Sequence, residues 1–155
     1  MADERDLPPG ASGVFKLIVD GARKLKRAIS EPSTSNEFGT TIAQAFVSGG
    51  RFAEIHAMGN AQFQDKNPRE AFCARWRDVA LARGPFTGFN VSNAGHIDLG
   101  YIPGLEEVPQ SQFVAFLTIT FSSPSVPLDD DKAFAVGVVL LQDRGVVKIG
   151  AIHAR

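Results

Sequence analysis

The side chains that most often carry chemistry are scarce in this sequence: one cysteine, one tyrosine, one tryptophan and three histidines among 155 residues. The single cysteine, Cys73, excludes an intrachain disulfide and suits a reducing compartment. His56, His96 and His153 lie far apart and form no His-x-x-x-His spacing, so no metal site is expected. An excess of positive charge is also missing. Sixteen basic residues stand against 17 acidic ones, a formal net charge of −1, which argues against a nucleic-acid partner. No apolar run is long enough to cross a bilayer. Val136 to Leu141, with Gly137 inside it, is far short of the ~20 residues needed. A glycine-rich phosphate loop is absent, because Gly49-Gly50 is not followed by Lys-Ser or Lys-Thr, and no cofactor is expected. Residues 1–13 lack the apolar core of a signal peptide, so a cytoplasmic location is expected, although a trimmed signal or anchor would leave no trace.

What is present is an ordinary globular composition, 44% hydrophobic and 21% charged, with twelve phenylalanines. A chain of this length buries about two-thirds of its unfolded surface and needs no staples. The reading is a tail over 1–12, expected to be disordered, followed by one domain over 13–155.

Phe15, Ile18, Ala22, Leu25 and Ile29 recur at three and four, predicting a helix over about 13–30 that is additional to the rest. Its Lys16, Arg23, Lys24, Lys26 and Arg27 lie mostly off that stripe; they serve solubility or dock on an acidic partner or surface. Glu31 to Asn36, with Pro32, predicts a break. The helical region then resumes over 36–84. Its first helix is capped by Thr34 with Glu37, by Ser35 or by Asn36, buries Phe38, Ile42, Ala45 and Phe46, and ends at Gly49-Gly50. A short helix over 51–58 follows. A third runs from Asn67-Pro68 to Gly84-Pro85, with Phe72, Cys73, Trp76, Val79 and Ala80 on its apolar face.

Beyond Pro85 the period changes from helical to alternating, predicting a sheet over 86–154. Its strands are Phe86 to Val91, His96 to Ile102, Gln112 to Ser122, Ala133 to Gln142 and Val146 to His153. Asp143-Arg144-Gly145 predicts a tight hairpin. Along Gln112 to Ser122, Phe113, Ala115, Leu117, Ile119 and Phe121 share one face, with Val114, Phe116, Thr118 and Thr120 on the other. Helices first and hairpin-linked strands after indicate an α+β fold, with N-terminal helices packed on a curved antiparallel sheet of about four strands. Strands apolar on both faces need cover on both. Helices supply one layer and a second subunit would supply the other, so a homodimer through the sheet is expected.

Phe46-Val47-Ser48-Gly49-Gly50-Arg51-Phe52, then Phe72-Cys73-Ala74-Arg75-Trp76 leading to Gly84-Pro85-Phe86, and the closing Val147-Lys148-Ile149, resemble the small bacterial members of the nuclear transport factor 2-like (cystatin-like) superfamily. The resemblance covers about 36–153. It implies a curved sheet wrapped around a helix to leave a cone-shaped pocket. In such folds the enzymes project Asp, His or Tyr into the cone, and many other members are binding modules. This chain has no recognisable catalytic set at matching positions.

The expected function is therefore a non-enzymatic binding or interaction module holding a small apolar ligand in the cone. Phe46, Trp76, Phe113 and Phe116 would line it, with His153 at the mouth. The alternative is a small isomerase, cyclase or hydratase using Asp98, His96 or Tyr101. On a strand, His96 and Asp98 share a face and could pair so that the imidazole is oriented as a general base, while Tyr101, the only tyrosine, could donate to a developing oxyanion but points the other way unless a bulge at Gly100 intervenes. The bland reading of the same residues is a solvated polar row beside one core aromatic. Cys73 reads as a buried structural thiol. Asp129-Asp130-Asp131 reads as a solvated loop tip, without the spacing of a calcium loop.

Overall fold

The computed structural model describes residues 25–154, with side chains from Ser35 onward. The chain divides into two units, 1–38 and 39–155. In the first, the described backbone is the opening of helix α1 (Leu25–Ser48). The tail over 1–12 and the predicted helix over 13–24 lie outside the described residues.

The predicted break at 31–36 is absent, because α1 is helical from Leu25 through Pro32 to Ser48. A proline removes one rung of the ladder, here toward the Ala28 carbonyl, and the rungs on either side remain. Thr34, Ser35 and Asn36 are therefore interior helix residues and not caps. The helix stops where expected. Gly49 sits at φ 75° and donates its N–H to the Ala45 carbonyl at 2.9 Å.

The second unit continues with α2 (Phe52–Ala57), α3 (Ala61–Lys66) and α4 (Arg69–Arg83). Helix α3 was not predicted. It is one and a half turns long, and its entry is fixed by Asn60, whose side chain accepts from the Phe63 N–H at 2.7 Å. Helix α4 matches the prediction, with Phe72, Trp76 and Ala80 buried and Cys73 and Val79 half-buried. Asn67 does not cap it. Its side-chain amide donates to the Phe63 carbonyl at the end of α3, and the α4 cap position falls on Pro68.

Four strands, β1 (Gly88–Asn93), β2 (Phe113–Ser122), β3 (Phe134–Asp143) and β4 (Val146–Ala154), form one antiparallel, curved, unclosed sheet in chain order. Helices precede the sheet, so the fold is α+β. Register partners share a face, and one face carries Leu117, Ile119 and Phe121 with Val138, Val136 and Phe134. This is the principal core. Phe46 of α1 meets Phe52, Trp76 and Phe121 at ring separations of 5.2, 5.4 and 5.4 Å. Gly39 allows α1 close to β1, since a β-carbon there would lie 2.6 Å from Val91.

Two irregularities change which residues face where. A register shift between Phe113 and Ala115 leaves Val114 unpaired, and a second, across from Val139 and Leu140, leaves out Gly150. Phe113 pairs with Leu141 and Phe116 with Val139, so both stand on the face away from Phe121. The grouping of Phe113 with Ala115 is thereby corrected. Ala151 and His153 likewise lie opposite Ile149, because the alternation reverses at Gly150.

The predicted strand at His96 to Ile102 is not a strand. The Asp98 side chain accepts from the Gly100 N–H at 2.9 Å and starts a 3-10 turn over Leu99–Tyr101. Gln110 clamps the segment to itself, accepting from the Leu99 N–H at 2.9 Å and donating to the Ile97 carbonyl at 2.8 Å. Leu99 and Leu105 are thereby buried on Val139, Leu141 and Ala151, with Ile97, Ile102, Val108, Phe113 and Phe116 around them. The second sheet face, which the sequence assigned to another subunit, is covered here by the chain's own 97–113 segment.

Candidate functional site

A cleft opens beside the outer strand β4. The turn before α3 docks there first: the Ile149 N–H donates to the Met58 carbonyl at 2.9 Å, and the Asn60 N–H donates to the Ile149 carbonyl at 2.9 Å. Helix α3 then diverges from the strand. The resulting space, about 130 Å³, lies among α3, α4, the 103–105 turn and Gly150 to His153. That is below the ~300–1,000 Å³ of sites enclosing a drug-sized ligand, so the cleft suits a small molecule or one group of a larger one.

Its apolar part is Phe63, Leu105, Ala151 and Ile152; its polar part is Gln62, Lys66, Asn67, Arg75 and His153. Phe63 is fixed from behind by Gly59, whose missing side chain leaves room for the ring, and by an edge-to-face contact with Phe72 at 5.5 Å. Lys66 donates through Nζ to the Gly104 carbonyl at 3.0 Å, which ties α3 to the 103–105 turn and holds the ammonium at the rim. Gly104 adopts φ 90°, a conformation that glycine takes at little cost. Arg75 lies with its guanidinium carbon 5.2 Å from the Trp76 ring centroid. Behind the cleft, buried His56 donates from Nε2 to the Asn67 carbonyl at 2.6 Å, since a carbonyl can only accept, and packs between Phe63 and Phe72.

The residues singled out from the sequence do not converge. Phe46 and Trp76 are core residues on the helix side of the sheet, each 1% exposed. Phe113 and Phe116 pack under the 97–113 segment on the other side. One cone lined by all four is therefore not formed. His153 alone lines the cleft. His96 is exposed, with its ring edge-on to Phe113 at 5.7 Å. Asp98 is occupied as the cap of its own turn, and Tyr101 is 85% exposed. No described cavity contains two of these three residues. Lys66, Arg75, Gln62 and Asn67 were missed. They come from two helices and the joint between them, and no local spacing marks them.

A smaller recess of about 60 Å³ lies beside the Phe121–Phe134 pair of β2 and β3, where Arg83 stands 4.7 Å over the Phe134 ring next to Phe86. Asp129, Asp130 and Asp131 form a turn in which Asp130 accepts from the Lys132 N–H at 2.8 Å. Among the described residues, no three His, Cys, Asp or Glu side chains gather so as to hold a metal ion, and no helix is long and apolar enough to cross a membrane. The chain matches no protein-family model, no curated protein and no solved structure.

Proposed function

We propose that this chain is a non-catalytic binding module that takes a small ligand, or one group of a larger one, in the cleft beside β4. The observation that carries this reading is the lining itself, apolar Phe63, Leu105 and Ile152 together with polar Lys66, Arg75 and His153. Small-molecule sites combine these ingredients, an apolar wall and a few convergent polar groups. The helix-first order and the curved sheet support an architecture of the nuclear transport factor 2-like kind. The mutual packing of Phe46, Phe52 and Trp76 favours the cleft over an interior cone as the ligand's place. Nothing in the surroundings of Asp98, His96 and Tyr101 favours the enzyme alternative. A cytoplasmic setting belongs to the same proposal and rests on the unbridged thiol of Cys73.

The test is a fragment screen followed by amide chemical shifts of the full chain. Binding fragments are expected to shift Phe63, Lys66, Asn67, Leu105 and His153. Gln62→Trp, a change at an exposed cleft-lining position, is expected to abolish those shifts while leaving the fold intact. Shifts confined to the neighbours of Phe46 and Phe121 would return the site to the interior and overturn the proposal, as would a screen that perturbs neither region.

A further inference from the structure

The side-chain charges that line the cleft are cationic, the Glu106 carboxylate nearby accepting from the Gly104 N–H at 2.9 Å, and from that lining we infer that the ligand is a small carboxylate with a short apolar tail; this rests on the cleft being the binding site. Lys66 and Arg75 line the space and no Asp or Glu does. Among the described residues, neither cation lies within ion-pair distance of a carboxylate; the pair that does form, Arg51 with Glu54, involves neither of them. The chain as a whole is nearly neutral, so an all-cationic lining is a local property and not a consequence of composition.

Each cation has capacity left for a ligand. Lys66 uses one of its three N–H donors on the Gly104 carbonyl. Arg75 has its guanidinium carbon 5.2 Å from the Trp76 ring centroid, and its planar guanidinium carries five N–H donors. That planar fork matches the two oxygens of a carboxylate. His153 adds a ring N–H on the strand side. Phe63, Leu105 and Ile152 are buried and show the cleft only a little apolar surface, which a bare inorganic anion satisfying these donors would leave wet. A tail of two or three carbons would cover that surface within the available volume.

Butyrate, butyramide and inorganic phosphate distinguish the parts of this inference. Each is titrated into the full-length protein at low salt, and amide shifts are read at residues 62–67, 103–105 and 150–153. Butyrate is expected to bind there with a Kd on the order of 1–10 mM, appropriate to six heavy atoms. Butyramide and phosphate are expected to bind at least several-fold more weakly. Arg75→Gln should weaken butyrate about ten-fold, the loss expected of a charge-assisted hydrogen bond, and Arg75→Lys should restore part of it. Raising the ionic strength should weaken butyrate and leave butyramide unchanged. Butyramide binding as well as butyrate, phosphate binding more tightly than butyrate, or Arg75→Gln binding butyrate unchanged would each overturn the carboxylate assignment while the cleft remained a binding site. If none of the probes shifts the cleft residues, the carboxylate assignment fails. The fragment screen then decides separately whether the binding reading falls with it.

Discussion

Arg144 and Arg51 are the two described non-glycine residues with positive φ, at 55° and 67°, and the structure treats them differently. Arg144 precedes Gly145, at φ 81°, and the pair closes the β3–β4 hairpin between Asp143 and Val146. Two central residues with positive φ make a type I′ turn, which asparagine-glycine fits best. The arginine there is exposed and bears the left-handed cost without a described partner. Arg144→Asn is therefore expected to raise stability by about 0.5–1 kcal/mol, read as a higher denaturation midpoint with unchanged slope. Arg51 bears the same backbone cost beside a partner, its guanidinium meeting both Glu54 oxygens at 3.0 and 3.1 Å. That hydrogen-bonded contact holds the Glu54 carboxyl below its ordinary value. A lowered folded pKa contributes stability above the unfolded value and loses it as pH falls through the folded one. Both side chains are solvent-exposed, so solvent screens the contribution.

At the scale of elements, the two bulges decide what the sheet presents. Gly150 is one of them. A β-carbon there would collide with the Leu141 side chain in the second core. Gly150→Ala is expected to cost about 1–3 kcal/mol by overpacking, measured by chemical denaturation. It should also shift the His153 resonances, because the reversal at Gly150 sets the face on which His153 stands. This feature was partly legible in the sequence, since a lone glycine inside an alternating run is a bulge signal. Val114 carries no such signal, and a strict period of two therefore misplaced Phe113. The hairpin, α4 and the end of α1 were legible because each has a local cause: a glycine at positive φ, a proline, an apolar stripe. The segment after β1 was misread because the alternation of Ile97 and Leu99 looked like a strand. The turn chemistry of Asp98, Gly100, Pro103 and Gly104 in the same stretch opposed that reading and prevailed. At the candidate site only His153 was visible beforehand. Lys66 and Arg75 meet it through the docking of Met58 and Asn60 on Ile149, a long-range pairing that no sequence spacing records.

For the second unit as a whole, the sheet is apolar on both faces and the chain supplies cover for both. The helices cover the side of Phe121 and Phe134, and the 97–113 segment covers Val139, Leu141 and Ala151. The expectation of a homodimer rested on that second face lacking cover, and its motive is met within one chain. Large apolar residues that remain exposed among those described, Val47, Leu81, Tyr101, Leu128 and Val146, come from different elements. Scattered single residues of this kind are ordinary on a protein surface. If the segment is structural cover and not a mobile lid, Leu99, which is fully buried, should behave as a core residue despite its irregular backbone. Leu99→Ala is then expected to cost about 2–5 kcal/mol, whereas a residue in a detached lid would cost a few tenths. Leu99→Asp goes further. A carboxylate cannot be buried unpaired among Val139, Leu141 and Leu105, so the segment should lift and bare the apolar face of β3. Light scattering across a concentration series should then report one-chain mass for the unaltered protein and growing self-association for Leu99→Asp. A stable dimer of the unaltered protein, indifferent to Leu99→Asp, would show that copies meet somewhere other than this face. Loss of an existing dimer in Leu99→Asp would show that the segment itself builds the interface.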